Sequence, residues 1–596
     1  MTLNELILIG VIISALVLII YVRLRPDLVA LLVLLTLAFS GVVTTQEALS
    51  GFSRNAVITI IGLFIITHAL DETGIIQWAA RRINSVGKGS EKRLILVFMI
   101  SGATLSLVMN NIAAGAVLLP AAVRVGIKSK VRLSKLLIPL SFGTLVGGMA
   151  TYLTTANIIL SGLLQDQGLD GLGMKDFIPT GGLIVLATLI YMLTIGRRLL
   201  PTRDSISQSV TSSNLYETYQ LDQRMWEVQI TPESRLVSCE LGRSEIGQKL
   251  GLTVVGIWRG HKAILPPEPN EIIRSDDFLL VMGREERVEQ LEDWGVVFRH
   301  ENYSVNGKHN YDVDLSEVII PPRSSVIGKT LTDINFRTHY GLTCVALWRE
   351  GRSYRTDVGK YILQVGDALL MVGPAAKARL LAQDRDFLVL NGNQQQPSAP
   401  SKAGWALFIT AVVLLIAIFD LLPLPEVMLA GAVAMVLTGC LKMDEAYRAI
   451  EWRVVFLIAG MLPVSIAMVN TGLAVRIGQL MVDTFSGFGS LALISGLFLL
   501  TVAVCQIIGG QVTALVVGPI AVSAAIQVGI NPQAVAVAVA IGCSTAFLTP
   551  IAHPVNVLMM GPGGYTFGDF FKVGLGMTIV TFITLLIGMV LIWGIH

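Results

Sequence analysis

Two apolar blocks, one running from Met1 to about Leu200 and one from about Gly404 to the end, enclose a middle stretch that has no long apolar run. Each block holds hydrophobic segments of the ~20 residues that a spanning helix needs, beginning with Leu3 to Val22. Lipid cannot satisfy exposed N–H and C=O groups, so only helices cross it, and backbone that leaves a helix must be buried in protein or line a wet cavity. Composition agrees: 53% of the residues are hydrophobic and 14% charged, against roughly 25% charged in soluble domains. The net charge of +2, with no Lys/Arg run standing clear of the apolar segments, argues against a nucleic-acid partner. Arg23 and Arg25 close the first segment without a small-residue cleavage site, so it reads as a retained helix rather than a signal peptide. Five scattered cysteines, Cys239, Cys344, Cys440, Cys505 and Cys543, give neither a disulfide framework nor a zinc cluster. No H-E-x-x-H, P-loop or nucleophile elbow is present, so an enzyme is not expected, nor an organic cofactor.

The two blocks share one plan. Gly62-Leu-Phe-Ile-Ile-Thr-His-Ala-Leu-Asp-Glu-Thr-Gly74 returns as Gly460-Met-Leu-Pro-Val-Ser-Ile-Ala-Met-Val-Asn-Thr-Gly472. In nearly the same register Pro26-Asp27 pairs with Pro425-Glu426, Pro120 with Pro519 and Asn157 with Asn556. Charge sets their orientation, because Lys and Arg collect in cytoplasmic loops. Arg81, Arg82, Lys88, Lys92 and Arg93 follow Gly74, whereas Arg476 alone follows Gly472; before the repeat helix, Lys442, Arg448 and Arg453 face Arg54 alone. Corresponding loops therefore lie on opposite sides, which predicts a polytopic α-helical membrane protein built from two inverted-topology repeats of about five crossings each. The crossings fall near 4–22, 27–43, 54–72, 134–165 and 178–198, then 405–421, 426–441, 453–472, 533–563 and 573–595, with both termini outside. Arg93 opens 93–126, and Arg124 ends it with Lys128, Lys130, Arg132 and Lys135 following, so this stretch enters and leaves on the cytoplasmic side as a re-entrant hairpin. By the repeat, 487–527 dips in from the other face.

Four polar interruptions break the apolar runs: Met109-Asn-Asn-Ile-Ala113, Thr151-Tyr-Leu-Thr-Thr-Ala-Asn157, Gly509 to Thr513, and Thr549-Pro-Ile-Ala-His-Pro-Val-Asn556. They pair by the repeat, two and two. Helix N-termini at such breaks favour an anion, while unwound carbonyls with Asn and Thr oxygens suit a hard cation such as Na⁺. This is the logic of a coupled transport site at the bilayer midplane.

The middle stretch is itself duplicated. Val254-Val-Gly-Ile-Trp-Arg-Gly260 returns as Cys344-Val-Ala-Leu-Trp-Arg-Glu-Gly351, and Asp276-Asp-Phe-Leu-Leu-Val-Met-Gly283 as Gly366-Asp-Ala-Leu-Leu-Met-Val-Gly373. Short β-branched runs predict two α+β domains, mostly strand with one or two short helices each, at 223–300 and 311–391. Linkers at 201–222 and 392–403 join them to the membrane repeats at 1–200 and 404–596. With Ser325-Val-Ile-Gly-Lys-Thr-Leu331, the Trp-Arg strands and the Gly-Asp endings, the pair resembles RCK C-terminal (TrkA-C) domains of bacterial ion-transport proteins. The resemblance implies a regulatory small-molecule ligand; a scaffold or dimerisation module is the other reading. No G-x-G-x-x-G follows a strand, so a dinucleotide site is not indicated.

Met109-Asn-Asn-Ile-Ala-Ala-Gly-Ala-Val-Leu-Leu-Pro120 and Phe547-Leu-Thr-Pro-Ile-Ala-His-Pro-Val-Asn556, continuing to Tyr565-Thr-Phe-Gly-Asp569, resemble the divalent anion:sodium symporter family of the ion transporter superfamily, in the branch with paired TrkA-C domains between its halves. The resemblance covers the whole chain. It implies a homodimer in the bacterial plasma (inner) membrane, TrkA-C domains in the cytoplasm, and Na⁺-coupled import of a small inorganic or carboxylate anion by an elevator motion, with sulfate first and then dicarboxylate or phosphate. On the matching positions it implies an anion at Asn110, Asn111, Gly510, Gln511, Thr513 and Pro550. It implies Na⁺ at Asn110, Thr154, Thr155, Asn157, Gly510, Thr549 and Asn556. The family carries Ser-Asn-Thr at each hairpin tip; here Asn110-Asn111-Ile112 and Gly509-Gly510-Gln511 stand there, without the hydroxyls.

Structural readings compete with these. Asn110 and Asn111 could cap a helix, and Asn157 and Asn556 could join helices as polar glue. His68 and His553 read as satisfied interior histidines, Asp71 and Glu72 as a solvated helix end, Asp27 and Glu426 as interfacial caps, and Met559, Met560 and Tyr565 as packing. The functional alternatives are a cation/proton antiporter or arsenite-type exporter of the same superfamily, and a ligand-regulated ion channel.

Overall fold

The computed structural model describes residues 2–22, 24–75, 78, 90–129, 131–202, 225–259, 262–264, 266–298, 314–321, 324–349, 352–354, 358–381, 384, 386–390, 400–419 and 421–595. Arg23, Arg81, Arg82, Lys88, Lys130, Gly260 and Gly351, and most of both linkers, lie outside the described residues.

In the first block the apolar segments fold as α1 Leu3–Ile20, α2 Pro26–Phe39, α3 Asn55–Glu72, α4 Glu91–Ser106, α5 Asn111–Lys128, α6 Leu137–Met149, α7 Thr155–Asp166 and α8 Met174–Tyr191. The second block gives α9 Ala403–Phe419, α10 Leu424–Leu437, α11 Trp452–Asn470, α12 Leu473–Phe485, α13 Ser490–Ile508, α14 Gly510–Val528, α15 Pro532–Ser544, α16 Pro554–Gly563 and α17 Phe567–Leu591. Among the described residues six helices are long and apolar enough to cross a membrane. Helices α2 and α10 have 14 residues each, which at ~1.5 Å per residue is about 21 Å and falls short of a ~30 Å hydrocarbon layer. Each carries a proline in its first turn, Pro26 in α2 and Pro425 in α10, where no N–H is needed. Short helices Thr45–Leu49 and Met443–Ala449 lead into α3 and α11. Their starts are alike: the Glu47 carboxylate accepts from the Thr44 N–H, and that of Glu445 from the Lys442 N–H, each at 2.8 Å.

Each block completes the other. Helix α2 packs on α11, and α10 on α3. A Cβ built on Gly62 would lie 2.7 Å from the Met428 carbonyl, and one on Gly460 2.9 Å from the Ala30 carbonyl, so at both crossings the backbones nearly touch. Gly62 and Gly460 are residues that the sequence repeat pairs, and Ala30 and Met428 lie within one position of each other in it. Elsewhere α4 packs on α6, where Gly143 and Gly147 admit the Met99 and Ala103 carbonyls, and α8 packs on α17.

The middle stretch forms two five-stranded antiparallel sheets. The first holds β1 Met225–Ile230, β2 Thr253–Arg259, β3 Lys262–Ile264, β4 Phe278–Met282 and β5 Val296–Phe298 in the order β3-β2-β4-β1-β5. The second holds β6 Asp314–Ile319, β7 Thr343–Arg349, β8 Arg352–Tyr354, β9 Ala368–Gly373 and β10 Leu388–Val389 in the order β10-β6-β9-β7-β8, the same topology read from the other edge. The repeat extends to irregularities: the register shifts between Val254 and Gly256 on β2 and between Cys344 and Ala346 on β7. It also explains the Trp-Arg and Asp motifs. Arg259 grips the fully buried Asp277 with Nε and Nη2 at 2.9 Å, and Arg349 grips Asp367 at 2.7 and 2.6 Å. Each carboxylate also accepts a turn N–H, from Arg274 or Gln364, so the fork locks the turn to the strand.

Candidate functional site

The interruptions singled out in the sequence are where helices stop. Helix α4 ends at Ser106 and α5 starts at Asn111; α6 ends at Met149 and α7 starts at Thr155. In the second block α13 and α14 meet at Gly509, and α15 and α16 are separated by 545–553. The two pairs interlock, since α7 packs on α14 and α15 while α16 packs on α5 and α6. Four half-helices thus begin, N–H groups forward, inside the assembled bundle.

At the first break Asn157, buried, donates from Nδ2 to the Thr151 carbonyl at 2.6 Å and the Gly148 carbonyl at 3.3 Å. The Thr151 hydroxyl donates to the Leu107 carbonyl at 3.1 Å, tying the break to the end of α4. Two oxygens are left over: Thr154 Oγ1 and Asn157 Oδ1 are both buried and have no hydrogen-bond partner. Buried polar atoms are normally satisfied, and neutral oxygens of this kind are ligands that a hard cation can take. Among the described residues no cluster of three or more His, Cys, Asp or Glu side chains offers a site for a more highly charged ion.

The second break repeats the cap. Asn556 Nδ2 donates to the Ala546 carbonyl at 2.7 Å and the Thr549 carbonyl at 3.4 Å, but its Oδ1 accepts from the Ser141 hydroxyl at 2.5 Å. Gln506, which sequence reasoning passed over, spans this break: its Nε2 donates to the Thr545 carbonyl at 2.9 Å and its Oε1 accepts from the Thr549 N–H at 3.2 Å. A glutamine buried in the otherwise apolar run of α13 was the available signal. His553 Nδ1 accepts from the Val555 N–H at 3.2 Å, capping α16, and Pro550 lies buried in a short turn.

The hairpin tips differ from each other. Asn110 Oδ1 accepts from the Ile112 N–H at 2.8 Å, the cap of α5. Asn111 Oδ1 accepts from Ser106, and its amide lies beside Gly148 and the Thr154 methyl. Ser106 is a second residue the sequence reading missed; it places a buried hydroxyl against the first tip from one turn upstream. At the second tip Gly509 has φ +79°, a conformation that favours glycine. A Cβ on Gly510 would lie 2.3 Å from the Cys543 carbonyl, so only glycine lets the tip press on the end of α15. Thr513 is buried, with its hydroxyl spent on the Gly509 carbonyl at 2.8 Å, and Gln511 is half-buried at the start of α14. The structure therefore gathers Asn111, Thr154 and Asn157 about the first break, and Thr549 and Asn556 about the second, with Thr155 opening α7.

Residues 16–542 match the profile of the citrate transporter family. The chain belongs to that family. An uncharacterized transporter of Synechocystis sp. is 33% identical over 596 residues, covering 98% of this chain and 97% of that protein. Probable sodium/sulfate cotransporter 3 of Chlamydomonas reinhardtii is 28% identical over 271 residues, 44% of this chain and 30% of its own length. Ktr system potassium uptake protein C of Bacillus subtilis is 33% identical over 86 residues, 14% of this chain and 39% of its own length. The family and the apolar helices together make the chain an integral membrane transporter.

Proposed function

We propose that this protein is a secondary active transporter that couples Na⁺ to the import of a small anion, sulfate first and then a dicarboxylate or phosphate, by an elevator-type motion of the hairpins and broken helices. The observation that carries the reading is the pair of buried, unpartnered oxygens, Thr154 Oγ1 and Asn157 Oδ1, at a helix break deep in the bundle. A cation there would balance an anion held by the N–H groups that open α5 and α14, Asn111 and Gln511 adding amide donors, with Asn110, Gly510, Thr513 and Pro550 shaping the tips. Sodium/sulfate cotransporters among the relatives support this pairing of ions. The family's own description favours a second cargo, citrate.

In this reading the two blocks are inverted repeats, the reciprocal crossings of α2 on α11 and α10 on α3 belong to a static scaffold and dimer contact, and the protein sits in the inner membrane with both termini outside. The sheet units, TrkA-C domains in the cytoplasm, take a regulatory small molecule. Thermal unfolding of the detergent-solubilised protein tests the coupling. Sulfate or citrate should stabilise it in NaCl and not in choline chloride at equal ionic strength, and the true cargo should enter proteoliposomes only down a Na⁺ gradient. Stabilisation and uptake indifferent to Na⁺ would sink the symport reading.

A further inference from the structure

The second sheet unit does not stand clear of the helices. Alternate residues of its central strand β9 face opposite ways. Leu369 and Met371 join the unit's own core with Phe336 and Leu381. On the other face Leu370 and Val372 close against Trp258, Leu280 and Met282 of the first unit. Ala368, at the near end of that same face, joins Ile319 and Leu390 in the core of the helical bundle. One face of one sheet is thus shared between its twin and the transmembrane helices.

The contact is tightest at the turn into β9. A Cβ on Gly366 would lie 2.6 Å from the Val557 carbonyl oxygen, and a Cβ on Gly561 would lie 2.4 Å from the Gly366 carbonyl oxygen. Here the turn and α16 meet backbone to backbone. Helix α16 is the half-helix that starts at the second break, and Val557 follows Asn556, whose amide caps the Ala546 and Thr549 carbonyls. The duplicate turn separates conformation from contact. In the first unit the equivalent position is Asp276, exposed and at φ +63°, against +81° for Gly366. The turn therefore accepts a side chain in its left-handed conformation; at 366 it is α16 that leaves no room for one.

We propose that Gly366 and Gly561 are positioning residues, and that the second sheet unit is a backstop that sets where α16, and through it the second helix break, stands. A change in the middle stretch then reaches the transport site through the seat of Gly366 on α16. The proposal rests on reading the second break as part of that site.

Hydrogen exchange on the full-length protein in lipid nanodiscs tests it. Gly366→Asp keeps a residue that the turn tolerates and adds a side chain facing α16. It should speed exchange across 545–563 by roughly tenfold or more and leave α1 and α2, 3–39, unchanged. Asp276→Gly, in the duplicate turn, should leave both segments as in the parent protein. Gly561→Ala approaches the same contact from the helix and should reproduce the effect, so the outcome stands if Gly366→Asp fails to fold. Unchanged protection of 545–563 in Gly366→Asp and Gly561→Ala overturns the proposal, as does a loss spread equally over 3–39. A parent protein blind to Na⁺ would refute the symport reading and leave the exchange contrast to decide the contact.

Discussion

The two asparagines that cap the breaks separate folding from ion binding. Asn157→Ala strips donors from the Thr151 and Gly148 carbonyls, and Asn556→Ala does so from the Ala546 and Thr549 carbonyls. Stranding a buried acceptor costs about 1–3 kcal/mol, so each variant, stranding two, should lose roughly 2–6 kcal/mol of stability without added salt. Sodium divides them. Asn157 Oδ1 is unpartnered, whereas Asn556 Oδ1 already accepts from Ser141. With Na⁺ at about 100 times its dissociation constant, the parent protein gains ~2.7 kcal/mol. Asn556→Ala should keep most of that increment and Asn157→Ala should lose it. Thr154→Val, which removes the other unpartnered oxygen at little cost in volume, should lose it too. The assay is thermal unfolding in NaCl against choline chloride. Equal sodium increments in Asn157→Ala and Asn556→Ala, both kept or both lost, would refute the assignment of the cation to the first break.

Three further outcomes follow from the geometry. Asp367→Ala removes the carboxylate that Arg349 grips with two nitrogens, and losing one side of a buried ion pair costs about 3–5 kcal/mol; strands β6–β9 should lose exchange protection while α1–α8 keep theirs. Gly460→Val drives a side chain into the Ala30 carbonyl at the α2–α11 crossing, and overpacking costs about 1–3 kcal/mol or more where backbone must move; the yield of monodisperse protein on size exclusion should fall, as for Gly62→Val. Gln506→Leu frees the Thr545 carbonyl and the Thr549 N–H of the second break, so ion-driven uptake should drop severalfold in protein that still elutes normally.

The interruptions were legible because Asn, Gly, Thr and Pro cluster inside apolar runs where a continuous helix would hold Leu or Val. What fills them was less so. Gln506 and Ser106 are isolated among apolar neighbours, and only the fold shows which break each one meets. The duplicated Trp-Arg and Asp motifs stood out as a repeat, but that the Arg grips the Asp across adjacent strands depends on β2 lying beside β4, a pairing between non-consecutive strands. Helix α12, with Arg476, Gln479 and Asp483 among apolar residues, has too little apolar length to read as a crossing, and its contact with α14 is tertiary. The seating of Gly366 on α16 depends on where a whole sheet comes to rest, which no local pattern records.

The reciprocal crossings also set a schedule for biogenesis. Helices α2 and α3 lean on α11 and α10, which leave the ribosome only after the middle stretch has been made. At ~5–20 residues per second, residues 200 to 470 take roughly 15–55 s to synthesise. For that interval the first block waits in the bilayer with the small-residue grooves at Ala30 and Gly62 facing lipid or a chaperone rather than their partners. A chain truncated after the insert therefore keeps both grooves open, because the helices that fill them are never made.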